Sequence, residues 1–318
     1  MKIRVFLAGL GLLISTGICL AQPYPNKPVR FITGFAAGSS IENLTRTILD
    51  DISKRTGAVF IVEQRPGALG IIGMNAVAKS PPDGYTLMPS SSATHSSAPQ
   101  LTKVPTADPV KDFTHLGAID RFHLMVVVNA SSGIKTVEEL VAEAGKRSLN
   151  YGYGSATGQV GGSAFVRAAG IDGRVTGVPY KSQPLALTDL LGNQVQFAAS
   201  DLPSVDALIR NGKLTGLAVT GDKRSALFPE VPTLTERGIK AELIGWVGFA
   251  GPAGLPEEVR VWWQRNISTT LSKPAIIEEL KTRGVEPYLL FGPAFERFVA
   301  DQYQVWGRHI RDAGLKPE

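Results

Sequence analysis

Cysteine is all but missing from this chain. The one that occurs, Cys19, sits in an N-terminal stretch that reads as an export signal. Lys2 and Arg4 make a short basic region, Val5 to Leu20 is apolar and small, and Cys19-Leu20-Ala21 presents small residues to a cleavage after Ala21. Removal of residues 1–21 leaves no thiol for a disulfide, a thiolate metal site or a cysteine nucleophile. An exported chain of this length without disulfides fits a bacterial periplasm better than a small secreted scaffold. Ile18 is not the small residue that a lipoprotein signal sets before its cysteine, so a cleaved, unanchored protein is expected. No later run is long and apolar enough to span a membrane.

Histidine is scarce as well, with His95, His115, His123 and His309 the only four. They form neither an H-E-x-x-H motif nor a cluster with carboxylates, so no metal and no other cofactor is expected. No G-x-S-x-G elbow is present. Ser90–Ser92, Ser96 and Ser97 surround His95, but a triad also needs an orienting acid that the sequence does not place, and the stretch reads as a polar loop. The net charge of +5 includes two signal-segment charges, which leaves about +3 for the mature chain. Its Lys and Arg residues are scattered, which argues against nucleic acid and only weakly for attraction to small anions.

What the chain does have is alternation of strand-like and helix-like segments throughout, the pattern of an α/β fold with mainly parallel sheets. In Val29-Arg-Phe-Ile-Thr-Gly-Phe-Ala-Ala-Gly-Ser-Ser-Ile-Glu42 an apolar strand enters a small-residue loop and then a helix marked by Ile41, Leu44, Ile48, Leu49 and Ile52. Gly34 and Gly38 permit tight turning, and Ser39 or Ser40 can cap the helix. Its free first-turn N–H groups and dipole would make a backbone cradle for a carboxylate, although most such turns bind nothing. Tyr151-Gly-Tyr-Gly-Ser-Ala-Thr-Gly-Gln159 repeats the arrangement later in the chain, with a spacing that is wrong for a dinucleotide fingerprint. Thr136-Val-Glu-Glu139 is a capping box that opens another helix. The chain is expected to cross between two lobes near His123 and again near Leu243–Ala250, which gives lobe segments 22–123, 124–244 and 245–318 around a cleft. Trp246 and Phe249 either border that cleft or pack in the core, and Asp50 and Asp51 read as a solvated helix face.

Several stretches in order carry a family likeness over essentially the whole mature chain. They begin with Tyr24-Pro-Asn-Lys-Pro-Val-Arg-Phe-Ile, where the family has Y-P-x-K-P-I-R and an apolar strand. They continue through Val62-Glu-Gln-Arg-Pro-Gly-Ala-Leu-Gly70, Pro82-Asp-Gly-Tyr-Thr-Leu87, Ala93-Thr-His95, Val178-Pro-Tyr-Lys181 and Leu187-Thr-Asp-Leu-Leu-Gly192. Gly212-Lys-Leu-Thr-Gly-Leu-Ala-Val-Thr220, Arg224-Ser-Ala-Leu-Phe-Pro-Glu-Val-Pro-Thr233 and Asp312-Ala-Gly-Leu-Lys-Pro317 complete the series. The chain resembles the Bug-type periplasmic receptors, the solute-binding subunits of tripartite tricarboxylate transporters.

The resemblance implies a two-lobed Venus-flytrap α/β fold, no catalysis, a monomer, and a small organic acid passed to membrane transporter subunits. It also implies that backbone N–H groups and ordered water from two βα loops hold the carboxylate, with little need for an arginine clamp. The candidate ligand-binding residues of the first loop are then Phe35, Ala36, Ala37, Gly38, Ser39, Ser40 and Glu42. Ala93, Thr94 and His95 come from the Ser-rich stretch, and Ser155, Ala156, Thr157, Gly158 and Gln159 from the second loop. Tyr180, Ser200 and Asp201 complete the set.

Departures from the family pattern fall in these loops. F-P-P-G-G-S-T-D is replaced by Phe35-Ala-Ala-Gly-Ser-Ser-Ile-Glu42, so a Cβ at Ser39 restricts backbone approach and the Glu42 carboxylate is expected to take volume from the site. The second loop is about two residues short, with Gln159 near the place of the family's histidine, and Ser182 replaces a glycine. A ligand larger or less acidic than a dicarboxylate is therefore expected. A transport receptor is the first reading. A sensory receptor for a membrane signalling protein shares the same cleft, and an exported hydrolase acting through Ser92 or Ser155 is the third.

Overall fold

The computed structural model describes residues 24–317. The expected signal segment, with Cys19 and the cleavage after Ala21, lies outside the described residues. The chain begins with β1 (Val29–Thr33), α1 (Ser40–Thr56), β2 (Phe60–Gln64), α2 (Ile71–Ala78) and β3 (Thr86–Ser91). β2 and β3 flank β1 in parallel, and β1 buries Val29, Phe31 and Ile32 while Arg30 faces solvent. A π-helical segment, Ser92–Ser97, then runs into the short α3 (Ala98–Leu101). The serine-rich sequence hid it, because serines bonding to nearby backbone look the same in a loop and in an irregular helix.

The long strand β4 (Phe113–Asn129) follows, then α4 (Val137–Lys146), β5 (Leu149–Tyr153), α5 (Ala156–Ala168), β6 (Val175–Pro179), α6 (Gln183–Leu191), β7 (Phe197–Asp201), α7 (Leu202–Arg210) and β8 (Leu214–Val219). The helix is capped by Thr136, whose Oγ1 accepts from the Glu139 N–H at 3.2 Å, while the Glu139 carboxylate reaches one residue past the cap to accept from the Lys135 N–H at 2.7 Å. The return segment holds β9 (Ile244–Pro252), α8 (Glu257–Leu271), α9 (Pro274–Lys281), β10 (Pro287–Leu290) and α10 (Gly292–Asp312).

The strands fall into two groups that share β4. Its first part, Phe113–His123, pairs antiparallel with β9, whose other edge pairs with β3. Its second part, Leu124–Asn129, pairs antiparallel with β7 and β8, while β5 lies parallel to β6 and β7. The sheets are thus mixed rather than mainly parallel. The βα units are parallel as the alternation implies, but β4 and β9 carry the chain between the groups and run against their neighbours. At the crossing, the buried Thr220 hydroxyl donates to the Leu243 carbonyl at 2.6 Å and accepts from the Leu124 N–H at 3.1 Å. One side chain therefore ties the outgoing strand to the return.

Phe31, Phe60, Phe249 and Trp263 meet with ring centroids 4.9 to 6.3 Å apart beneath the first strand group. Trp246 and Phe249 are fully buried core residues. Asp51 is not on a solvated face: it accepts from Lys273 Nζ at 2.6 Å, Thr270 Oγ1 at 2.8 Å and Arg55 Nε at 3.0 Å, tying α1 to α8. Burial works to raise its pKa, yet hydrogen bonds from Lys273, Arg55 and Thr270 together hold it below the usual range. Helix periodicity could not show this, since Thr270 and Lys273 lie more than 200 positions away in sequence.

Candidate functional site

A cavity of about 610 Å³ lies between the two strand groups. Loops that follow β1, β2 and β3 line it on one side, and loops that follow β5, β6 and β7 line it on the other. Ends of parallel strands from both halves therefore open on a common space, the usual place for a ligand in an open α/β sheet.

The first loop shapes itself with its own polar groups. Gly38 has φ 79°, a left-handed conformation that suits glycine, and the Ser39 side chain caps α1 by accepting from the Glu42 N–H at 3.3 Å. First-turn N–H groups at Ser40 and Ile41 have no helical acceptor, and both residues line the cavity with Phe35, Ala36 and Ser39. Ala37, Gly38 and Glu42 do not line it. The Glu42 carboxylate, 3% exposed, accepts from the Gly38 N–H at 2.9 Å, from Arg46 Nη2 at 2.7 Å and from Gln64 Nε2 at 2.6 Å. The expectation that it takes volume from the site is therefore corrected, because donors on three residues outside the cavity hold it in the base of the loop.

The loop after β2 belongs to the cavity although the sequence reading left it out. Pro66 through Gly70 all line the wall. Gly34 and Gly70 press together so closely that a Cβ on Gly34 would lie 2.6 Å from the Gly70 Cα. Gly67, Ala68, Leu69 and Gly70 have φ values of 130°, 46°, 56° and 96°. The two glycines were a visible turn signal, but nothing in Ala68-Leu69 announced left-handed backbone.

From the π-helical segment, Ala93 lines the cavity together with Ser91 and Ser92, while Thr94 and His95 lie beneath it. His95 Nδ1 is 2.9 Å from Thr94 Oγ1, and the ring packs edge-on against Phe113, His115 and Trp246. Burial, with His115 beside it, holds its pKa well below the ordinary value, so the ring is neutral and structural.

In the second half, Ser155 caps α5 by accepting from the Gly158 N–H at 3.1 Å. Ser155 and Thr157 line the cavity; Ala156, Gly158 and Gln159 do not. Gly158 instead lets α5 lie against β7, since a Cβ there would approach the Ala199 carbonyl at 3.1 Å. Gln183, absent from the residues expected at the site, does line the cavity. Its Oε1 accepts from the Gly154 N–H at 3.0 Å, and its Nε2 donates to Ser200 Oγ at 3.1 Å. Ser200 is thereby a buried brace for that loop rather than part of the wall. Tyr180 lines the cavity, with its hydroxyl donating to Asp189 at 2.7 Å. Asp201 lines it too and accepts from Ser204 Oγ at 2.8 Å. Lys181 and Asp201 are the only charged residues on the wall among the described residues, and neither is an arginine. The apolar part of the wall comes from Phe35, Ile41, Leu69, Phe122 and Leu185. Such a surface can bind an anion through helix N-termini and hydroxyls and hold a carbon skeleton beside them.

Known proteins share this architecture. The family model described as "tripartite tricarboxylate transporter family receptor" matches residues 44–315. Protein BugT of Bordetella pertussis is 30% identical over 330 residues, covering 99% of each chain. Among solved structures, the R. palustris protein Rpa4515 with adipate superposes with a TM-score of 0.87 at 28% identity, covering 93% of this chain and 100% of its own. The periplasmic binding protein BugD gives a TM-score of 0.85 at 27% identity, with coverage of 93% and 100%.

Proposed function

This chain belongs to the receptor family of the tripartite tricarboxylate transporters, and from that premise we propose that it captures a small carboxylate between its lobes and delivers it to the membrane subunits of such a transporter. It is a solute-binding receptor and not an enzyme. The observation that carries the ligand reading is the convergence of the capped N-termini of α1 and α5 on one cavity from opposite lobes. Each brings backbone donors and a positive dipole end, so an anion between them is stabilised only when the lobes come together. Adipate in Rpa4515 supports the same ligand class.

The lobes are assigned to 22–123 and 245–318 on one side and 124–244 on the other, in line with the change of β4 partners after His123. The receptor works as a monomer in the periplasm after cleavage behind Ala21. Among the described residues no helix is long and apolar enough to cross a membrane.

The test is a thermal-shift screen of the mature chain, Gln22–Glu318, against organic acids and their uncharged amides. An acid at about 100 times its Kd should add about 2.7 kcal/mol of stability, and its amide should add little. A well-folded protein that no carboxylate stabilises would overturn the ligand reading. Delivery is checked by loss of uptake of the same acid when the receptor is deleted.

A further inference from the structure

Three non-glycine residues among the described ones have positive φ: Ala68, Leu69 and Asn193. Asn193 lies in an exposed turn and is of a type that tolerates the left-handed region. Ala68 and Leu69 are not of that type, they are consecutive, and both line the cavity. A Cβ in left-handed backbone meets the following carbonyl, so every such residue costs free energy that glycine would avoid. The loop cannot relax out of it. The Gly70 N–H donates to the Gly67 carbonyl at 2.9 Å, and Gly70 is wedged between Gly34 and Thr94, where an added Cβ would lie 2.9 Å from Thr94 Cγ2. Strained backbone that its surroundings over-determine is concentrated at ligand clamps.

What the strain secures is a leucine side chain at the wall. Leu69 is only partly buried against the core, and it joins Ile41 and Phe122 on its own side of the cavity. Leu185, 49% exposed, faces the same space from the other lobe. The charges on the wall cancel, and the Asp201 carboxylate disfavours a second carboxylate nearby. The helix N-termini thus serve one anionic group, while the rest of the ligand meets carbon.

We propose that Leu69 is a specificity-determining residue that makes this cleft select monocarboxylates with a compact apolar body over short diacids. This rests on the carboxylate-receptor reading above. In the unliganded receptor the leucine is a conformational cost; with the ligand bound it is covered by the apolar body and the cost is offset.

Calorimetric titration with benzoate, cyclohexanecarboxylate, succinate and malate, on the wild type and on Leu69→Gly and Leu69→Asn, tests it. Both replacements suit left-handed backbone, so the loop keeps its shape, and their melting temperatures check that the fold persists. The expected result is tighter binding of the two cyclic acids by the wild type, reduced at least about tenfold in both variants, with succinate unchanged or improved. An equal loss for all four acids would mean that Leu69 only supports the loop, and the proposal falls. Wild-type preference for succinate or malate would also overturn it while leaving the receptor reading intact. Silence with all four acids, if other carboxylates in the wider screen bind, overturns the Leu69 proposal alone; silence across the whole screen removes both.

Discussion

Asp120 is 1% exposed in β4, three positions before the strand changes partners, and its Oδ1 has no hydrogen-bond partner. Burial above all, then the neighbouring Asp201 and Glu286 carboxylates, push its pKa well above the ordinary value; backbone donors from Glu286 and Arg121 only partly offset this. The buried histidines shift the other way, with desolvation bringing His115 down to about 4 and His95 well below its ordinary 6.5. The two effects have opposite signs. A raised carboxyl contributes stability that is complete below the unfolded value near 3.8 and is lost as pH rises through the folded value. A depressed histidine contributes stability present above 6.5 and lost as pH falls toward about 4. We therefore expect melting temperature to drop on the acid side through His95 and His115 and on the alkaline side through Asp120. Asp120→Asn should match the wild type near pH 4 and exceed it by about 1–3 kcal/mol at pH 8. A pH series of thermal melts on both proteins reads this, and parallel curves would refute the assignment to Asp120.

At the scale of elements, Thr220 joins the two crossings through its hydroxyl as well as through its backbone, which donates to the Leu124 carbonyl and accepts from the Leu243 N–H, each at 2.8 Å. Thr220→Val keeps the volume but removes the donor to Leu243 and the acceptor for Leu124 at the centre of the crossing. A loss of about 1–3 kcal/mol in denaturant unfolding is expected, with faster amide exchange at Leu124 than elsewhere in β4. Unchanged protection at Leu124 would show that the tie is not needed there. Helix boundaries were easy to read because caps are local: Thr136, Ser39 and Gly57 mark their ends as short-range chemistry requires. β4 was harder. Its earlier part, Phe113–Phe122, carries His115, Gly117 and Asp120 among its apolar residues and is built against β9 and β10 from the far end of the chain.

For the whole molecule, cavity-lining loops come from both strand groups, so hinge closure on the ligand is expected. Small-angle scattering with a saturating acid should show a smaller radius of gyration than without it, and a radius that does not change would argue for a preformed site without hinge motion. Closure would also bring Asp201 toward Asp120, since both line a small void beneath the main cavity. Acid binding should accordingly weaken as pH rises in the wild type and less so in Asp120→Asn.

The sequence by itself determined the α/β alternation, the glycine and serine chemistry of the two capped loops and, through short ordered stretches outside those loops, the family. Each depends on residues within a few positions of one another, where propensity and hydrogen-bond reach decide the outcome. Only the tertiary structure decided which members of those loops face the cavity. Glu42 turns to Gln64, His95 and Ser200 become supports, and Gln183 rather than Gln159 lines the cavity. It also brought Leu69 to the wall in a backbone conformation that no local preference favours, because Gly34 and Gly70 close on each other from the separate loops that follow β1 and β2. Those outcomes are settled by contacts between distant segments, and a side chain's direction follows from what its neighbours leave open.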